Sequence, residues 1–145
     1  MLRVAVIILA IMFGYSAVIS LMDLIIPRVA MGSILKAVTG ETLDSVQNAG
    51  YLKAIKLGVT SSGVFALSGT IVSFFILFTG FRKAQRWAWW ALLIGGCVSG
   101  IGGGILPISI GDKVYSLIFI IGVVIFLIGI FLPVKVFFAK PSQGV

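Results

Sequence analysis

Four long runs of apolar residues, 4–26, 57–80, 87–110 and 115–138, dominate the chain, and charges are almost absent from them. A helix needs about 20 apolar residues to cross the hydrocarbon core of a bilayer. In lipid each backbone N–H and C=O must be paired inside the protein, and a single run of this length achieves that as a helix. The expected fold is therefore all-α: one membrane domain, an integral bundle of four transmembrane helices. Composition agrees, with 60% hydrophobic and 10% charged residues and a mean hydropathy of +1.23, outside the soluble range. The runs take up most of the chain and leave no room for a separate soluble domain.

The first run follows Arg3 and ends at Pro27. It is longer than a signal-peptide core and no small-residue cleavage site follows it, so it reads as an uncleaved helix. Residues 27–56 form the only sizeable loop. Within it Met31, Ile34, Leu35 and Val38 recur at helical spacing before Gly40, which predicts a short interfacial amphipathic helix in the first external loop. Thr42 suits the cap of a second helical piece with Asp44 in its first turn. Tyr51, Lys53 and Lys56 have the makeup of an interfacial anchor.

Small residues mark the second and third runs. Ser62, Ala66, Gly69 and Ser73 lie on one narrow face of the second. Gly96, Gly100 and Gly104 form consecutive small-xxx-small pairs in the third, with Gly95, Ser99 and Gly103 one residue over. Such faces let helix backbones approach closely in lipid, where packing holds helices together. The second and third runs are thus the expected tightest pair. Pro107 is expected to bend the last turns of the third. The fourth run is bulky all round, with Gly122 and Gly129 as its only seam.

Catalytic side chains are scarce. There is no histidine, which removes His-ligated metals, haem and the Ser-His-Asp triad, and only four carboxylates occur: Asp23, Glu41, Asp44 and Asp112. The single cysteine, Cys97, cannot form an intramolecular disulfide and reads as a packing residue within an apolar run. Gly100–Gly104 opens like a dinucleotide fingerprint, but Ile105 stands where the last glycine belongs and no strand precedes it. No metal, cofactor or nucleic acid is expected. The net charge of +7 comes from Lys and Arg flanking apolar runs, the pattern of headgroup contact.

Two constellations are candidates for chemistry. Asp23 is embedded in an apolar run and shares a helix face with Ser16 and Ser20. An intramembrane carboxylate is a candidate proton or cation site; the structural alternative is neutralisation by Arg28 or a loop lysine. Arg82, Lys83 and Arg86 with Trp87 and Trp90 form an interfacial anchor or a headgroup contact. Trp87 and Trp90 share one face and Trp89 points away, so one face packs and the other meets lipid. Lys135 sits close enough to a helix end to snorkel.

Arg3, Arg82, Lys83, Arg86, Lys135 and Lys140 flank one side with no acid, and three of them crowd a single turn. The other side mixes Arg28, Lys36, Lys53, Lys56 and Lys113 with all four acids. The positive-inside rule then places both termini in the cytoplasm of a multi-pass cell-membrane protein.

Phe81-Arg-Lys-Ala-Gln-Arg-Trp-Ala-Trp-Trp resembles an element of small prokaryotic four-helix integral membrane proteins that are DoxX-like in size and layout. The first helix ending in proline, the loop with Gly40, Asp44 and Tyr51, and Gly58 opening the second helix extend the resemblance over most of the first ninety residues. It implies a fold and a membrane address. DoxX itself is associated with quinone-linked thiosulfate oxidation, but no catalytic residue carries over. The expected function is non-enzymatic: a structural or accessory membrane protein that packs against itself or a larger complex. The alternatives are a small homo-oligomeric transporter or channel using Asp23, and a quinone- or lipid-interacting redox accessory.

Overall fold

The computed structural model describes residues 1–109, 111 and 113–139, and within its helices all side chains except those of 101, 104, 106, 107 and 114. Asp112, Lys140 and the surroundings of Gly104 and Pro107 lie outside the described residues. The chain forms α1 (Leu2–Ile25), α2 (Arg28–Thr39), α3 (Ala49–Thr79), α4 (Arg86–Ser109), α5 (Lys113–Phe131) and α6 (Val134–Phe138), with a 3-10 turn at Phe81–Lys83 between α3 and α4. Among the described residues there is no strand. Three segments there are long and apolar enough to cross a membrane: Leu2–Ile25, Ala49–Lys83 and Tyr115–Phe138. The outward side chains are apolar too. Ile11, Phe65, Val98 and Leu117 are each at least 60% exposed, positions that a water-soluble bundle fills with polar residues. All of this is compatible with a membrane protein.

Local chemistry explains where the helices start and stop. α2 ends at Gly40, which takes the left-handed conformation (φ 76°) and returns its N–H to the Lys36 carbonyl, a conformation nearly free of cost for glycine alone. Thr42 does not start a helix. Its N–H and C=O are both taken by the Ser45 hydroxyl, at 3.2 and 2.8 Å, local bonds that compete with helix formation. The cap is Asn48, whose Oδ1 accepts from the N–H groups of Gly50 and Tyr51 at 3.0 and 3.1 Å. α3 therefore begins at Ala49, well before the apolar run.

The fourth run is not one helix. It breaks at residues 132–133, between α5 and α6. Pro133 has no N–H to continue the ladder and its ring collides with the preceding turn. Two carbonyls near this break and beyond it are taken by α4 side chains: Ile130 accepts from Trp89 Nε1 at 3.0 Å and Phe137 from Arg86 Nε at 3.0 Å. Each satisfies an acceptor near a helix end.

α1 is the central helix, packing most extensively on α3 and next on α5, while α5 pairs with α4. α3 and α4 meet far less. The closest pair is thus the first and third helices, not the second and third apolar runs. The reason lies at Gly63, where an added Cβ would stand 3.1 Å from the Ser20 carbonyl oxygen and 3.3 Å from Leu24 Cγ. Further along the crossing, the Ser16 and Thr70 hydroxyls share a hydrogen bond at 3.1 Å and Phe13 meets Phe74 edge-on, centroids 5.8 Å apart. The main core gathers at the end that holds the basic turn. Leu9, Leu77, Phe81 and Ile130 are fully buried there, and the Phe81 and Phe137 rings lie 4.8 Å apart. A smaller cluster of Ala30, Met31 and Val59 ties α2 to α3 at the other end.

Candidate functional site

α3 and α4 part beyond their connecting turn and leave a groove of about 320 Å³. Its α3 wall includes Gly69, Val72 and Ser73, and its α4 wall includes Ala91, Gly95 and Ser99. Gly69 and Gly95 have nothing within 4 Å of where a Cβ would be. Residues that pack closely inside the chain lie on other faces of the same helices. Gly96 sits under the Phe126 ring, which a Cβ would overlap, and a Cβ at Gly103 would come within 3.2 Å of the Phe119 ring. Gly96 and Gly103 are seven apart on α4, and Phe119 and Phe126 are seven apart on α5, the register of an antiparallel pair with a heptad seam.

The two small-residue columns are therefore divided. On α3, Gly69 and Ser73 line the groove, whereas Ser62 and Ala66 are simply exposed. On α4, Gly96 takes an α5 ring, Gly100 has open space, and Gly104 lies outside the described surroundings. Cys97, expected to pack, is exposed. Gly103, named in the second small-residue row of the third run, packs against α5, whereas sequence reasoning missed Gly63 and Phe81. Heptad spacing signals the first of these: Gly63 and Thr70, like Gly96 and Gly103, are seven apart.

Asp23 is half-buried where α1 crosses α3, its Cβ 3.2 Å from the Cβ position at Gly63. Its expected companions are engaged elsewhere. The Ser20 hydroxyl donates to the Ser16 carbonyl at 2.8 Å, and the Ser16 hydroxyl pairs with Thr70. Among the described residues, Asp23 makes no hydrogen bond and no ion pair, either with Arg28 or with a loop lysine. No group of three His, Cys, Asp or Glu side chains converges among the described residues.

At the basic turn, Arg82 and Lys83 are exposed. Arg86 makes two contacts with α6, since besides bonding the Phe137 carbonyl its guanidinium lies 5.8 Å from the Phe138 ring centroid. Trp89 is buried, while Trp87 and Trp90 are about half exposed. The indole of Trp87 donates to Gln85 Oε1 at 2.7 Å.

Comparison with models of protein families, with curated proteins and with solved structures finds no match. In the groove and at the Asp23 crossing, small, polar or ionisable groups remain unmatched within a largely apolar molecule.

Proposed function

We propose that the chain is a multi-pass membrane protein with a structural or accessory role, and that the α3/α4 groove receives a helix from outside the chain, either a second copy or a larger complex. The observation that carries this reading is the open groove with Gly69, Ser73, Gly95 and Ser99 on its walls. In lipid, association depends on close van der Waals fit. A groove whose glycines touch nothing within the chain is a surface on which another helix gains that fit.

In this reading α4 is the fourth span. Its 24 residues reach about 36 Å, enough to cross. α2 lies at the interface, with Ala30, Met31 and Leu35 turned inward and Lys36 exposed. Both termini and the Arg82–Arg86 turn face the cytoplasm. No enzymatic step is assigned, and the DoxX-like resemblance supplies no site for one. The test is extraction from membranes directly into polymer-bounded lipid discs, followed by mass measurement. Assembly predicts a mass above one chain for the wild type and a single chain for Gly69→Leu/Gly95→Leu. A wild type that is strictly monomeric and unaccompanied overturns the reading.

A second reading rests on Asp23, a carboxylate without a partner among the described residues at the closest helix crossing. In a transporter it would bind a proton or cation. Asp23→Asn should then keep the fold and abolish proton-coupled flux in vesicles. A variant that only loses expression speaks for a structural carboxylate.

A further inference from the structure

At the end of the molecule away from the basic turn, α1 finishes and α2 and α3 begin around a hollow of about 410 Å³. Its walls are aliphatic, from Ile26, Met31 and Leu52, and three cations line it: Arg28, Lys53 and Lys56. No carboxylate is among the lining residues. Among the described residues none of the three cations is in an ion pair.

The arrangement is built by the fold. Lys53 and Lys56 are three apart and share one face of α3. Arg28 comes from a distant part of the chain, delivered by the Pro27 turn at the start of α2. The Ala30–Met31–Val59 cluster clamps α2 to α3, which fixes the two sources of charge relative to each other. Three like charges around one hollow repel unless an anion sits among them. The α2 N-terminus and the α1 C-terminus both end here, so their dipoles oppose and the side chains carry the preference.

The position points to the occupant. α1 is a span that ends at Ile25, so the hollow lies at headgroup depth in the membrane reading, on which this inference rests. A cationic rim above aliphatic walls matches a phosphate followed by the first carbons of acyl chains. We propose that the hollow binds a phosphate-bearing anion, supplied by the headgroup of an anionic phospholipid. The chemistry it shares with free phosphate is the anionic oxygens held by Arg28, Lys53 and Lys56.

The test uses the full chain, delipidated in neutral detergent and offered mixed micelles of equal phosphatidylglycerol and phosphatidylcholine, with bound lipid read by native mass spectrometry. Phosphatidylglycerol should be retained preferentially. That preference should fall about fivefold for each cation removed in Arg28→Gln, Lys53→Gln and Lys56→Gln. The Arg82→Gln/Lys83→Gln control, at the other end, should leave it unchanged. Lys53 and Lys56 are exposed, so Lys53→Gln/Lys56→Gln keeps the proposal testable should Arg28→Gln disturb the Pro27 turn; helicity by circular dichroism reports the fold.

Inorganic phosphate at millimolar concentration should not displace the lipid. Displacement that depends on the same three cations overturns the lipid source and assigns the hollow to soluble phosphate. Equal retention of both lipids, or a preference untouched in Lys53→Gln/Lys56→Gln, overturns the site while leaving the chain a membrane protein. A folded chain that takes up neither lipid overturns the membrane reading itself.

Discussion

Single glycines separate two kinds of contact in this chain. Gly63 lies against the α1 backbone, whereas Gly69, on the same helix, has open space. A methyl group at Gly63 must push back the Ser20 carbonyl, so Gly63→Ala should cost about 1–3 kcal/mol in unfolding experiments on the monomer in detergent. Gly69→Ala should be neutral or raise stability by up to about 1 kcal/mol, because alanine favours the helix and meets nothing. Equal effects at the two positions would contradict the assigned helix crossing. Trp89 carries a comparable prediction. Its indole N–H is the donor to the Ile130 carbonyl in a buried setting, so Trp89→Phe should lose about 1–3 kcal/mol, read in the same assay.

Among the helices, the ends are set by particular side chains and the register by seven-residue spacings. Asn48 caps α3, and Asn48→Ala should cost about 1 kcal/mol and fray the first turn, measurable by amide exchange at Gly50 and Tyr51. Pro133 is a helix breaker whose removal should nonetheless harm the protein. Straightening the chain there carries Phe137 away from Phe81 and from Arg86, so Pro133→Ala should lower stability by about 1–3 kcal/mol despite better helix propensity. A gain in melting temperature would contradict that view. The apolar runs and the glycine stop at Gly40 were legible in sequence because each is a local signal. The break at Pro133 was hidden because hydropathy runs on through Phe138. The early start of α3 was hidden because Lys53 and Lys56 interrupt the apolar pattern ahead of Leu57 and the start itself rests on one amide cap.

At the scale of the whole molecule, a four-residue periodicity of small side chains says that a helix has a bare face but not which partner takes it. The column Ser62–Ala66–Gly69–Ser73 is real, yet the α1 contact uses Gly63 and Thr70, one residue over. Gly96 belongs to both a four-residue and a seven-residue pattern, and only the bulk of Phe126 decides that α5 occupies it. Sequence alone does not weigh those options, because the answer depends on which helices become neighbours. The consequence is an asymmetric bundle, filled at the basic end by Leu9, Leu77, Phe81 and Trp89 and open between α3 and α4. That opening is the central structural fact on which the proposed assembly role depends. Its most direct test is crosslinking in intact membranes in a Cys97→Ser background, with a cysteine placed either in the groove, by Ser73→Cys, or on the exposed surface of α5 outside it, by Ile120→Cys. A crosslinked species is expected from Ser73→Cys and should be lost on adding Gly95→Leu, and none is expected from Ile120→Cys. A Ser73→Cys chain that stays single, or crosslinks no better than Ile120→Cys, would contradict it.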